Sequence, residues 1–458
     1  MSQPNSWLLT NARVAHGPHQ AEPLDIEIQS GRVRSLSPRF RGHKPPVEMN
    51  LNGMLILPGF INAHDHLEFA IFPRLGNRVY SNAREWALDI HHPDQSPIRE
   101  LLQIPKATRL FWGGLKNLFC GVTSVCHHNQ YEPDLFEDQF PVRVLKRFGW
   151  SHSFDFSQDV VAEFGQTPNG SPFFIHLAEG TDKSSRDELG RLDHLGLLNP
   201  QTVIVHGVAL TKQDWELVRH RGARLVWCPS SNLFTLGKTL DLSLLPADLD
   251  VALGSDSPLT AAGDLLDEIR FAYELKDSRQ IPPYQGGQVP QARGGCLPGN
   301  TPPISPGGHP PQAHACLPLQ KGESLSSATS LYPAQLYSMV TTCAARLMRL
   351  DQGEGTIVEG GIADLIAVKN TESSPAERLV QLAAVDIELV VVGGEVMLAS
   401  TLLAGTIPPA WLGHMQRVSY NQKECFVTLD FERHWKFPHR ILGDGFRLAG
   451  KQIRFPSR

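Results

Sequence analysis

Pro58-Gly59-Phe60-Ile61-Asn62-Ala63-His64-Asp65-His66 follows an apolar run at residues 54–57, and its reading decides the fold. Side chains on a strand alternate faces with a period of two, so a His-x-His pair at a strand end aims both imidazoles the same way. Both can then reach one metal at about 2.0–2.1 Å from nitrogen. Three further apolar runs, at 172–175, 202–205 and 251–253, end in His176-Leu177-Ala178-Glu179, His206-Gly207 and Gly254-Ser255-Asp256-Ser257. In a parallel barrel the reactive groups gather at the C-terminal ends of the strands. Imidazoles and a carboxylate at four such ends suit a first-row divalent metal with room for a water molecule.

Between these ends the chain alternates candidate strands and helices. The strands are 54–61, 123–126, 172–176, 202–206, 224–228 and 251–254, with strands three and four placed loosely within 141–162. The helices include 108–119, 183–195 and 212–219. Such alternation over roughly 300 residues predicts an α/β fold with a closed (β/α)8, TIM-like barrel. Short strands flank it, at 7–14, 24–29 and 33–36 on one side and 363–368, 387–392 and 395–398 on the other. The two end pieces are expected to combine into one small β-sandwich domain. The expected division is 1–57 for its first part, 58–354 for the barrel, and 355–458 for its second part with a C-terminal tail. From 281 to 320, Pro and Gly fill 17 of 40 positions. Such composition cannot bury a core and reads as a flexible insertion, either idle or a lid near the rim.

Length and composition exclude other classes. The chain has 458 residues, 41% hydrophobic and 19% charged, with a net charge of -5. No basic run suits a phosphate backbone, which argues against nucleic acid. No apolar span of about 20 residues argues for a membrane. Residues 1–8 lack the charged-then-apolar order of a signal peptide, so the expected location is cytoplasmic. Seven scattered cysteines without a Cys-x-x-Cys pair argue against a disulfide scaffold or a cysteine-held zinc. The expected partner is a small-molecule substrate, and pairing as a homodimer stays open.

The motifs resemble those of the amidohydrolase superfamily. Within it they are similar to the deaminase-like branch of cytosine, guanine, S-adenosylhomocysteine and aminodeoxyfutalosine deaminases and chlorotriazine hydrolases. The matching stretches run from Pro58 to Glu68 and include Gly121-Val122-Thr123-Ser124-Val125, His176-Leu177-Ala178-Glu179 and His206-Gly207. They continue with Cys228-Pro229-Ser230-Ser231-Asn232, Gly254-Ser255-Asp256-Ser257, Thr341-Thr342-Cys343-Ala344-Ala345-Arg346 and Gly355 to Leu365. The resemblance implies that His64, His66, His176 and Asp256 ligate one divalent metal, zinc or else iron. It implies that His206 sits beside the metal and polarises water or the developing oxyanion, and that Glu179 shuttles protons at the substrate. Lys146, the lysine nearest the fourth strand, reads as a charged edge rather than the bridge of a two-metal centre.

A metal held this way lowers the pKa of bound water from about 15.7 toward about 7. Asp256 would accept the water's proton, and Glu179 would protonate a substrate nitrogen as ammonia or an amine leaves. The reading is a hydrolase of non-peptide carbon–nitrogen bonds, with deamination of a heterocyclic amine favoured. The alternatives are release of an amine or halide from a triazine-like or amide substrate, and a metal-free barrel scaffold without catalysis. Five residues are candidate substrate contacts. His127 and His128 follow the second strand and are either ligand-binding or solvated loop histidines. Trp150 and His152 are expected where the third strand ends, with Trp150 able to stack on a ring. Glu68 either binds a substrate amine or hydroxyl, or pairs with Arg74 or Arg84. Asn232 is expected to brace the loop after strand seven.

Overall fold

Gly59 is the point at which the chain passes from one sheet to another. In the computed structural model, which describes residues 5–43, 45–136, 140–275 and 332–455, the expected strand 54–61 is two strands. Leu55–Pro58 pairs antiparallel with Leu365–Val368 in the end sheet, and Phe60–Asp65 pairs parallel with Val122–His127 in the barrel. A Cβ at Gly59 would collide with Thr123, so only glycine lets the chain change direction against that neighbour.

The barrel has eight parallel strands in two arcs. The first arc is Phe60–Asp65, Val122–His127 and Arg143–Val144. The second is Gly149–Ser151, Phe173–Leu177, Thr202–His206, Arg224–Trp227 and Val251–Leu253. First and eighth strands adjoin where the Asp256 N–H donates to the His64 carbonyl at 3.1 Å. Alternation sorts the side chains. Ile61, Ala63, Cys126, Phe174, Val203, Val205, Val226 and Ala252 fill the interior with Leu347 and Met348 from the helix Thr342–Met348. Phe60, Val122, Phe173, Ile175, Ile204, Leu225 and Leu253 pack outward against the helices. Helix starts are capped as their sequences suggest, by Asp182 before Lys183–His194, Thr211 before Lys212–Arg221 and Asp264 before Leu265–Glu274.

Both chain ends build one mixed sheet of twelve strands, joined through Leu55–Pro58 and Leu365–Val368. The tail beyond residue 405 adds four of them, Gln416–Tyr420, Lys423–Val427, Arg447–Leu448 and Lys451–Arg454. Its helix Phe431–Leu442 packs on the barrel helix Lys106–Phe119: Phe431 and Phe446 meet the Trp112 ring edge-on, and Trp112 Nε1 donates to the His434 carbonyl at 3.1 Å. The 281–320 insertion lies outside the described residues. Among the described residues no helix is long and apolar enough to cross a membrane.

Candidate metal centre

Four side chains from the ends of strands one, five and eight converge in the barrel mouth. His64 Nε2 lies 3.2 Å from His176 Nε2, and His66 Nε2 lies 3.4 Å from the same atom. Asp256 Oδ1 is 3.6 Å from His64 Nε2 and 3.7 Å from His66 Nε2. His206, from strand six, joins His64 and Asp256 with ligand atoms within 4.8 Å of one another. Local backbone makes this possible. The ladder to the second strand slips register between Asn62 and Asp65, so His64 follows the inward Ala63 into the lumen while Asp65 turns outward. Ala178, His206 and Asp256 adopt left-handed backbone, with φ of 55°, 76° and 51°, at the turns that carry these groups. Strain of this kind persists where surrounding structure enforces it, commonly at functional sites.

Hydrogen bonds fix which ring nitrogen faces the centre. His128 Nε2 donates to the Ser151 carbonyl at 2.8 Å, so its Nδ1 accepts from His64 Nδ1 at 3.1 Å. His176 Nδ1 donates to the His152 carbonyl at 2.6 Å, and His206 Nδ1 donates to Asn232 Oδ1 at 2.7 Å. His64, His176 and His206 therefore each present an Nε2 lone pair inward, the form in which imidazole ligates a metal. Burial, then the neighbouring imidazoles, holds His66 and His176 well below the ordinary histidine value. Burial lowers His206 to about 4 against the opposing pull of Asp256. Burial pushes Asp256 up, but the surrounding His64, His206 and His66 outweigh it and hold the carboxylate well below its usual range. Its Oδ2 accepts from Ser231 at 2.6 Å and its Oδ1 from the Ser257 N–H at 2.8 Å. Lone pairs and one carboxylate gathered in two triads that share His64, with His66 and His176 in one and His206 and Asp256 in the other, fit a divalent metal.

Glu179 stands beside this set, its Oε2 3.5 Å from His206 Nε2. Burial, then the charges of Asp256 and Glu188, raises its carboxyl well above the ordinary value. Two backbone bonds hold its loop: Ala83 N–H donates to the Glu179 carbonyl at 3.0 Å, and Ala178 N–H donates to Glu188 at 2.6 Å. Asn82 accepts from the Glu85 N–H at 2.8 Å and donates to Asp182 at 2.6 Å, tying the first barrel loop to the helix beyond Glu179.

The expected substrate contacts separate into distinct environments. His128 is buried with both ring nitrogens engaged, which corrects the expectation of a ligand-binding or solvated residue: it braces His64. His127 is also buried, with Nε2 3.4 Å from Glu68 Oε2. Glu68, rather than reaching Arg74 or Arg84, meets His127 and accepts from Asn129 at 3.0 Å. Trp150 and His152 lie at the fourth strand, not the third, because Arg143–Val144 supplies the third strand. Trp150 packs partly buried against the interior cluster, edge-on to His128 at 6.0 Å. Of the five, His152 alone is exposed, its ring 4.8 Å from that of His176. Lys146 is exposed on the loop before the fourth strand. Sequence reasoning missed Ser231 as the partner of Asp256. Its only signal was a position in the first turn of the helix Pro229–Leu236, which opens directly after strand seven.

No family model matches the chain. It is 33% identical over 320 residues to a 5-methylthioadenosine/S-adenosylhomocysteine deaminase of Pyrococcus abyssi, covering 58% of this chain and 72% of that protein. With the protein of the same name from Syntrophobacter fumaroxidans it shares 23% over 291 residues, 51% of this chain and 64% of the relative, less than two thirds of that relative's length. Among solved structures, atrazine chlorohydrolase of Arthrobacter aurescens TC1 complexed with zinc superposes with a TM-score of 0.60 at 15% identity, over 95% of this chain and 99% of that one. An adenosine deaminase from Xanthomonas campestris with bound zinc gives 0.59 at 18%, over 86% and 93%. The fold is thus that of barrel hydrolases whose flanking sheet is shared between the chain ends. The chain belongs to the amidohydrolase superfamily, with methylthioadenosine/S-adenosylhomocysteine deaminases and triazine hydrolases as relatives.

Proposed function

We propose that this protein is a metal-dependent aminohydrolase that releases ammonia from a heterocyclic amine, an aminopurine nucleoside being the first class to try. The observation that carries the reading is the convergence of His64, His66, His176 and Asp256 with Glu179 and His206 alongside. Those four would hold one divalent ion, zinc in the first instance, as in the zinc-bound structures of the two solved neighbours. When bound, such an ion acts as a Lewis acid that lowers the pKa of water and polarises an acceptor.

The chain's own groups then divide the proton work. Asp256, kept ionised by the imidazoles around it, accepts a proton from water as the oxygen adds to the amine-bearing carbon. Glu179, kept protonated by burial, donates at the adjacent ring nitrogen, so that the carbon becomes tetrahedral without separating charge. Asp256 passes its proton to the amine, which departs as ammonia, while the added hydroxyl gives its proton to Glu179 and the carbonyl product forms. His206 keeps Nδ1–H on Asn232 and turns Nε2 to the reacting oxygen. The relatives named for deaminating 5-methylthioadenosine and S-adenosylhomocysteine support a purine substrate. Likeness to atrazine chlorohydrolase favours a second reading, displacement of an amine or halide from a triazine by the same groups.

The test is a panel of aminopurine nucleosides, free aminopurines, aminopyrimidines, pterins and chloro- or amino-triazines, scored for ammonia, amine and chloride with zinc-loaded protein. Ammonia from a purine supports the first reading, and chloride or alkylamine from a triazine the second. Metal at one equivalent with no turnover of any member would sink both.

A further inference from the structure

Behind the convergent imidazoles lies a second buried polar cluster that the proposed chemistry leaves unused. Asp65, between His64 and His66, turns its carboxylate outward to the helix Lys106–Phe119. Lys116 of that helix is fully buried. It donates to Asp65 Oδ1 at 2.8 Å, to Ser255 Oγ at 3.3 Å and to the Asp256 carbonyl at 3.4 Å. The other carboxylate oxygen accepts from Asn117 Nδ2 at 2.7 Å and Asn62 Nδ2 at 3.2 Å. Asn62 also donates to Ser255 Oγ at 2.8 Å and accepts from the Ser255 N–H at 3.0 Å. A Cβ at Gly113, one turn earlier on the helix, would collide with the backbone of Leu67, so the helix lies directly against the chain just past His66.

We propose that Lys116 is a positioning residue for the metal. One ammonium spans the seam between first and eighth strands and ties the His64-Asp65-His66 segment to the backbone of Asp256, fixing how far the imidazoles stand from the carboxylate. A buried ion pair seldom adds stability over an apolar replacement, because desolvating two charges offsets their attraction. With both oxygens of Asp65 hydrogen-bonded, the gain such a pair offers is geometry. Groups that orient metal-binding residues typically govern metal affinity by about 10–100-fold. This inference rests on the metal reading above.

Cobalt(II) substitution tests it, because the visible absorption of cobalt reports ligand geometry without any substrate. Lys116→Met should weaken cobalt retention against a competing chelator about 10–100-fold and alter the absorption envelope, with the far-ultraviolet dichroism of the metal-free protein unchanged. Lys451→Met is the control: it removes a half-buried ammonium paired with two carboxylates, Asp264 and Asp267, and cobalt retention should match the wild type. If Lys116→Met does not fold, the pair Asp65→Asn with Lys116→Met leaves no unpaired charge and should still lose at least tenfold. Wild-type cobalt affinity and spectrum in the Lys116 variants overturn the inference, as does an equal loss in Lys451→Met. A wild-type chain that takes up no cobalt overturns the metal reading itself.

Discussion

Replacing Glu179 by glutamine separates its proton from its shape. The side chain keeps its volume beside His206, 3.5 Å away, and the four groups at the centre are untouched, so metal content should stay at the wild-type level. Turnover should fall about 10²–10⁴-fold, the usual loss when a positioned acid–base group is removed. Stability should move the other way. Burial raises this carboxyl well above its ordinary 4.5, so the folded protein retains a proton that the unfolded chain has already released. Stability contributed by such a group is complete below its unfolded value and is lost as pH rises through the folded one. Glutamine never ionises and escapes that loss. Glu179→Gln should therefore melt higher than the wild type at pH 8, with the advantage vanishing as pH falls toward 4.5. Ammonia release and differential scanning calorimetry at pH 5, 6.5 and 8 measure both effects. Wild-type turnover in the variant removes Glu179 from the proton path, and a melting difference independent of pH refutes a carboxyl held neutral.

Asn232→Ala removes the acceptor that fixes the His206 ring; turnover should drop about 10–100-fold with metal retained, and an unchanged kcat would count against the orientation argument. Burial, with Arg433 nearby, lowers His434 to about 4, so its folded form refuses a proton that the unfolded chain accepts below about 6.5. Its stability contribution is present above that value and is lost as pH falls, so His434→Leu should show a shallower decline in urea midpoint between pH 6.5 and 4. Parallel curves would refute this. Stripping metal with a chelator should lower the melting temperature and zinc should restore it, since an ion at 100 times its Kd adds about 2.7 kcal/mol. Superposable melts would deny a bound ion.

The sequence made the barrel legible because its long strands carry unbroken apolar runs and its helices a clear period, as at Phe173–Leu177 and Lys106–Phe119. Strands three and four escaped because Arg143–Val144 and Gly149–Ser151 are too short for any alternation to register. The four strands of the tail were hidden for the same reason: they are short, and their partners lie in the end sheet. At the centre, residue type and spacing singled out the side chains that the fold brings together in the barrel mouth. The supporting groups were not legible, because their bonds link distant positions: His128 with His64, Asn232 with His206, Lys116 with Asp65. A buried histidine and a loop histidine look alike in a string of letters; only the packing around Ser151 distinguishes them.

The pairing of Leu55–Pro58 with Leu365–Val368 has a consequence for synthesis. As the chain emerges from the ribosome, the first of these strands waits for a partner made about 300 residues later, an interval of roughly 15–60 s at 5–20 residues per second. Throughout that time an apolar edge is open to chaperones or to a neighbouring nascent chain. Slowing translation anywhere between the two strands should therefore lower the yield of native protein more than slowing the residues before the first or after the second.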